Sequence, residues 1–331
     1  MKQIVHELNQ LDYGGVEKVI KNIIKYDKVN KHTILAYKDG PFRKEFEELG
    51  VPIVMPNPDG DLDMEADIIH VHSGGGISQM ATNLGEAFCV IETIHSPVRS
   101  PMPNRIIRQR VGVCDAVSKM NSNCITIKNG IETEIPDLIA VDQLKKELGI
   151  PEGLPVIGRL GRVGSDKCME DWLLTCFYLQ KQGVNFVPLV VGGEARGHDG
   201  RYLGRLKLMA ESLPVKGIVW AGHRTDIFNM LQLMDVFLYP SPTEGFGLVF
   251  AEAILSGCAV VTYNTEVTTE LFGGYSLLTH KNIPALVEGV KAALDSDFRM
   301  EMSGIGPEFI KSEYSAERMS LDYQELYERC N

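Results

Sequence analysis

Short apolar runs alternate with amphipathic helical patterns along almost the whole chain. Gln3-Ile4-Val5-His6 opens a strand, and Gly15 to Val29 follows with helical periodicity. His32–Ala36 then reads as strand, Pro41–Gly50 as helix, and Val51–Val54 and Asp67–His72 as strands. Ile77–Glu86 has a helical pattern, and Phe88–Ile94, Val111–Val117 and Ile125–Ile127 read as further strands. Strands joined repeatedly by crossover helices predict a parallel sheet covered on both faces.

The alternation breaks near Ile135–Gly153, a stretch rich in Pro, Asp and Gly around one short amphipathic helix, Asp142–Leu148. It then restarts. Leu154–Leu160, Val187–Val191, Gly217–Trp220, Val236–Tyr239 and Ala259–Thr262 read as strands. Asp166–Gln182, Arg201–Ser212, Asp226–Leu233, Gly247–Ser256, Ile283–Asp295 and the stretch from Phe298 onward read as helices. The prediction is an α/β protein of two Rossmann-like, doubly wound domains facing each other across a cleft. Their expected limits are residues 1–140 and 141–312, with a terminal helix over 313–331 packing back across both. In such sheets ligands sit beyond the carboxyl ends of the strands, which makes the strand ends the places to look for chemistry.

At 331 residues, with 44% hydrophobic and 23% charged side chains, the chain has enough apolar material for two such cores. The formal net charge of −11 argues against an unspecific grip on nucleic acid, which needs a broad basic field. Residues 1–135 carry 15 basic and 18 acidic side chains, net −3, and the remainder carries 18 and 26, net −8. The first half is therefore the better suited to an anionic partner. No run approaches the roughly 18 apolar residues that cross a bilayer. Met1–Leu8 enters a strand pattern with neither basic leader nor cleavage site. Seven scattered cysteines without a CxxC pair read as reduced thiols, and the expectation is a cytoplasmic protein without a zinc site.

Three strand ends stand out. Gly14-Gly15 lies between the opening strand and a helix, where a phosphate can approach the backbone; an ordinary turn would look the same. In Gly161-Arg162-Val163-Gly164-Ser165-Asp166-Lys167, two cations five residues apart straddle a turn and could converge on one anion, or simply be solvated. The strongest is the proline-rich loop after Val236–Tyr239, which runs through Glu244-Gly245-Phe246-Gly247 into a helix carrying Glu252. The helix start welcomes an anion or a hydroxyl. A buried carboxylate at Glu252 needs a partner, and paired sugar hydroxyls would serve. A helix cap and an internal salt bridge are the plainer readings of these two glutamates.

Taken together, Gly14-Gly15-Val16-Glu17, Gly161-Arg162 with Lys167, and Glu244-Gly-Phe-Gly with Glu252 resemble the retaining glycosyltransferases of family 4, which have the GT-B fold. Weaker echoes are Val113–Ser118, Lys128-Asn129-Gly130-Ile131-Glu132 and Leu255–Val261. The resemblance implies transfer of a hexose-type sugar from a nucleotide-sugar donor, UDP being the commonest, to an acceptor hydroxyl, with no cofactor and no metal. It implies that Arg162 and Lys167 hold the donor pyrophosphate and offset charge on the leaving group. Glu252 would bind the ribose. Glu244 with Gly245, Phe246 and Gly247 would hold the donor sugar, and Gly15 would meet the phosphate from the other domain. His95, ending the strand before it, would touch the transferred sugar. His70 and His72 share one strand face, but no third metal ligand is evident.

Two departures are visible: Cys168 stands where the family has a glycine after the motif lysine, and Lys128 where a proline is common. The acceptor (a lipid carrier, glycan, small molecule or protein) is not indicated. Lys18, Lys21, Lys25 and Lys28 recur along the first helix, and Arg99, Arg105, Arg108 and Arg110 fall in a stretch without acids. Such patches suit peripheral contact with an anionic membrane, and equally a solvated helix face beside a basic loop. A nucleotide-sugar epimerase of the same fold and a non-catalytic nucleotide-sugar-binding partner subunit are the alternatives in function.

Overall fold

The computed structural model describes residues 1–56, 65–73, 78, 88–135, 138–194 and 200–330. It divides into two units, Met1–Glu132 with Glu313–Asn331, and Thr133–Ser312.

The first unit is built on strands β1 (Gln3–Gln10), β2 (Lys31–Lys38), β3 (Ile53–Val54), β4 (Ile68–Ser73), β5 (Cys89–Ile94), β6 (Gln109–Gly112) and β7 (Cys124–Thr126). All are parallel, in the order β3-β2-β1-β4-β5-β6-β7. The chain moves outward from β1 on one side and returns to build from β4 on the other. The loops therefore diverge at the carboxyl ends of β1 and β4, the switch point of the sheet. Helix α1 (Gly15–Tyr26) buries Val19, Ile20, Ile23 and Ile24. Helix α2 spans Arg43–Glu48. The expected helix Ile77–Glu86 lies outside the described residues, Ser78 apart.

The expected strand Val111–Val117 is instead the end of β6 followed by a short helix, α3 (Asp115–Ser118). Val113, Cys114, Ala116 and Val117 are all buried, and a fully buried run carries no period to tell strand from helix. Backbone contact fixes the turn: a Cβ on Gly112 would stand 2.6 Å from the Ser118 nitrogen.

The second unit begins with helix α4 (Val141–Leu148). Its strands are β8 (Val156–Leu160), β9 (Val187–Val191), β10 (Val219–Gly222), β11 (Val236–Tyr239), β12 (Ala259–Tyr263) and β13 (Leu277–Thr279), again parallel, in the order β10-β9-β8-β11-β12-β13. Here the switch point lies between β8 and β11. Helices α5 (Met169–Lys181), α6 (Arg201–Ser212), α7 (Ile227–Leu231), α8 (Leu248–Leu255), α9 (Glu266–Phe272), α10 (Ile283–Ala293) and α11 (Ser296–Glu313) complete it. The core runs from Trp172 and Leu173 on α5 through the strands to Val287 and Val290 on α10.

Two expected helices are divided. Asp166–Gln182 is a 3-10 turn, Ser165–Lys167, then α5, with Cys168 between them at φ 44°, ψ 52°. The terminal stretch is α11 and then α12 (Ala316–Glu328), separated where Ser315 accepts the Arg318 amide as N-cap. Helix α12 lies with the first unit, where Ser320 Oγ donates to the Ile23 carbonyl of α1 and Ile131 pairs with Ser315.

Candidate functional site

In the second unit, the loops leaving β8 and β11 emerge side by side because those strands are neighbours. The first is pinned to the end of β9 by Gly161 N–H to the Val191 carbonyl (3.0 Å) and Val163 N–H to the Gly193 carbonyl (2.9 Å). It delivers Arg162 and then, through the 3-10 turn, Lys167. The second loop delivers Glu244 and ends at Gly247, whose φ of 83° and closeness to the Phe250 ring exclude a larger residue without strain.

These loops meet through Lys167 Nζ, which donates to Glu244 Oε1 at 2.8 Å. Both side chains are largely buried. Burial works against the ammonium, but the Glu244 carboxylate outweighs it and raises the Lys167 pKa. Arg162 is more open and donates to Asp166 Oδ2 at 2.6 Å. Gly245 and Phe246 are buried, Phe246 edge-on to Phe272 with ring centroids 5.9 Å apart. Glu252 sits in the second turn of α8 and is 5% exposed. The structure thus brings Lys167 and Glu244 into contact, with Arg162 on the same loop as the lysine.

Sequence reasoning missed Arg159. Its guanidinium is fully buried at the end of β8, with Nη2 donating to the Arg162 carbonyl (3.2 Å) and Cζ 5.0 Å from the centre of the Tyr239 ring. Nε and Nη1 find no hydrogen-bond partner among the described residues, and burial lowers its pKa. An arginine inside Val156-Ile157-Gly158-Arg159-Leu160 is the signal that was available: a charge in an otherwise apolar strand. It places fixed positive charge behind the Lys167–Glu244 pair.

In the first unit, Gly14 is the extended N-cap of α1 and Gly15 its first residue. Glu17 folds back toward them; a Cβ on Gly14 would lie 2.5 Å from Glu17 Oε2. Burial pushes the Glu17 carboxyl up to about 7, and the Asp12 charge adds to the shift. A group so tuned is half neutral near pH 7, which lessens its repulsion of an anion at this helix start.

His95 follows β5 and is half-buried, with Nε2 3.1 Å from His72 Nδ1. The third histidine that the sequence did not reveal is His6: ring nitrogens of His6, His70 and His72 lie within 4.8 Å of one another. All six of those nitrogens have partners within the protein, at 2.8–3.1 Å.

The basic patches are changed by the structure. Lys21 pairs with Glu45 and Lys25 with Glu132, so two of the lysines on α1 are already neutralised. Arg105 and Arg108 are exposed, but Arg110 is a core residue bound to Glu92 at 2.9 Å.

Comparison with known proteins fits this picture. Residues 140–308 match the family model described as glycosyl transferases group 1. The D-inositol 3-phosphate glycosyltransferase of Corynebacterium jeikeium is 30% identical over 198 residues, 56% of this chain and only 47% of that protein. The N-acetyl-alpha-D-glucosaminyl L-malate synthase of Bacillus anthracis is 22% identical over 289 residues, 79% of this chain and 74% of that one. Among solved structures, Anabaena HepE in complex with UDP and glucose superposes with a TM-score of 0.86 at 16% identity, covering 99% of this chain and 100% of that one. Two Rossmann-like parallel sheets with such neighbours are the GT-B fold, as the sequence predicts.

Proposed function

The chain belongs to the group 1 glycosyl transferases, and from that premise we propose that it moves a hexose-type sugar from a nucleotide-sugar donor, UDP-linked, to an acceptor hydroxyl with retention of anomeric configuration, as in family 4. One observation carries the reading: Lys167 and Glu244, from loops at the adjoining ends of β8 and β11, meet at 2.8 Å with Arg162 on the lysine loop. A diphosphate arriving there finds two cations within one turn of chain. A sugar arriving there finds a carboxylate able to accept hydroxyl hydrogen bonds.

Departure of the nucleoside diphosphate is then the step these residues serve. Negative charge would develop on the leaving oxygen, and Arg162 and Lys167 would stabilise it as phosphate draws them from Asp166 and Glu244, with buried Arg159 strengthening the local potential. Two side-chain cations supply the charge compensation that a divalent metal supplies elsewhere, which is why we infer a metal-independent reaction. Donor binding would draw Lys167 partly from Glu244 toward phosphate and leave Glu244 to the sugar; Glu252 would hold the ribose. His95 and Gly15 would meet the donor from the first unit. Support for the class comes from the relatives' names and from UDP and glucose bound to HepE. Seven free thiols accord with a cytoplasmic setting.

The test is thermal unfolding with UDP, GDP, ADP, CDP and dTDP, each in chelator, followed by acceptor-dependent release of the diphosphate. A ligand at a hundred times its Kd should stabilise by about 2.7 kcal/mol. The expected result is a shift with UDP that is lost in Arg162→Ala. Donor conversion without acceptor would make the protein an epimerase. Binding without turnover, whatever the acceptor, would make it a partner subunit.

A further inference from the structure

A line of imidazoles crosses the sheet of the first unit, and only its last member, His95, belongs to the candidate site. His32 on β2, His6 on β1, His72 on β4 and His95 after β5 are joined ring to ring. His32 Nδ1 is 3.0 Å from His6 Nε2, His6 Nδ1 is 3.0 Å from His72 Nε2, and His72 Nδ1 is 3.1 Å from His95 Nε2. At the far end His32 Nε2 lies 3.2 Å from Asp27 Oδ2, off the line of an ideal hydrogen bond. It makes no aligned hydrogen bond to any of the described residues.

Register explains the line. His6 is paired with Ile34 on one side and His70 on the other, and His72 with Thr93. Each linked histidine therefore lies two residues further along its strand than the position opposite the previous one. Steps of two keep every ring on one face. The line is a diagonal from the amino-terminal part of β2 to the carboxyl end of β5. His70, on the same face, stands outside it: its nitrogens are held by Tyr327 Oη and Thr93 Oγ1, both at 2.8 Å.

Such a chain has a direction. Burial lowers the pKa of His6 and His72 well below the ordinary histidine value and takes His95 down to about 4, so at neutral pH each of these rings carries one N–H. Burial alone would raise Asp27, but the nearby His32 ring and hydrogen bonds from Asn30 and two backbone amides hold it at about 2. An ionised carboxylate can only accept. With one proton on the ring, His32 turns its Nε2–H to the Asp27 carboxylate, 3.2 Å away, and its Nδ1 accepts from His6 Nε2–H; a doubly protonated His32 would donate from both nitrogens and run the line the other way. The same choice repeats at His72 and at His95.

We propose that Asp27, acting through His32, His6 and His72, fixes the tautomer of His95, so that His95 holds its hydrogen on Nε2 and presents Nδ1 as an acceptor for a ligand hydroxyl at the carboxyl end of β5. The four residues are positioning residues; only His95 would touch the ligand. That last clause rests on the proposed sugar transfer, whereas the tautomer does not.

Nitrogen-15 NMR of the full chain, labelled at its histidines, reads the tautomer of each ring, and single His→Gln variants assign the four signals. At pH 7.5 all four rings should be Nε2–H. A wild-type His95 carrying Nδ1–H overturns the proposal even if no further variant folds. Asp27→Asn supplies the stronger test. The Val29 and Asn30 amides both bind Asp27 Oδ1, at 2.9 and 3.1 Å, and would keep the new amide oxygen there. The amide N–H₂ then faces His32, and also the Asn30 Nδ2 that donates to Oδ2 at 2.8 Å in the wild type. Asn30→Ala alongside removes that competing donor and keeps the backbone amide, and every ring should then reverse to Nδ1–H. An unchanged His95 in the folded double variant also overturns the proposal. With donor and acceptor present, the reversal should lower kcat about tenfold, one hydrogen bond's worth, with little change in KM. A reversed tautomer with an unaltered rate would leave the polarity standing and remove His95 from the reaction.

Discussion

Glu17 offers a prediction whose sign and size both follow from the structure. Its side chain is 8% exposed in the first turn of α1, and its carboxyl is pushed from 4.5 in the unfolded reference to about 7 in the fold. A carboxyl with a raised pKa favours its protonated form in the folded state. Its neutral form is tolerated below about pH 4.5, and the penalty for charging it grows as pH rises from there through 7. At about 1.4 kcal/mol for each pH unit between those two values, the fold should lose up to about 3.5 kcal/mol to this group by pH 8.5. Glu17→Gln removes the ionisation and keeps the shape. It should be within about 1 kcal/mol of wild type at pH 5 and more stable by about 3 kcal/mol at pH 8.5.

The probe must report the right unit. Both tryptophans, Trp172 and Trp220, lie in the second unit, so their fluorescence serves as the control. Hydrogen exchange in urea, read by mass spectrometry on peptides from β1 and α1, follows the first unit. Comparing variant and wild type at each pH cancels the intrinsic exchange rate and the titration of the buried histidines, which is common to both. A gap between the two proteins that stays constant from pH 5 to pH 8.5 would refute the reasoning, because it would mean that Glu17 is not charging in that window.

Two further substitutions test separate parts of the fold. Cys168 is a non-glycine residue at φ 44°, a conformation that costs an L-residue about 1 kcal/mol, so Cys168→Gly should raise the second unit's stability by about that amount in urea followed by tryptophan fluorescence. Arg110 donates to Glu92, Asn104 and the Met102 carbonyl from a nearly dry position, and Arg110→Met should lower stability by about 3–5 kcal/mol in thermal unfolding followed by circular dichroism. Pairing it with Glu92→Gln should recover part of the loss, since the charge left stranded is then removed.

How much of this was legible in the chain depends on the range of the interaction. Val187–Val191, Val236–Tyr239 and Arg201–Ser212 carry the same limits in the sequence reading as in the fold, because a buried parallel strand is a continuous apolar run and an amphipathic helix declares its period. The sequence pattern predicts neither helix α9 nor strand β13. The first is rich in β-branched residues and owes its start to a reciprocal bond between Thr265 and Thr268. The second is three residues at a sheet edge, too short to show a pattern. In the site, residue types at strand ends were visible, and so was the departure at Cys168. Its cause was not: the position requires a left-handed backbone, which is what a glycine there would supply. The meeting of Lys167 and Glu244, 77 residues apart, depends on β8 and β11 being neighbours.

The histidine line shows the same limit more sharply. The sequence puts His70 and His72 on one face, yet His70 lies outside the line, and nothing in the local spacing points to His6 or His32. A diagonal across four strands is defined by strand order and register, and a slip of one residue in β2 would turn His32 to the opposite face and cut the line from Asp27. Holding four imidazoles in register is an unusual use of an interior that Val and Ile fill elsewhere in the same sheet. Polar groups in such a place cost stability wherever a partner is poorly placed, as at His32 Nε2, which meets Asp27 without an aligned hydrogen bond. A sheet needing only cohesion has no use for that arrangement. A sheet that must hold one ring at its edge in a defined tautomer has, because orientation can be handed from ring to ring only through groups that both donate and accept.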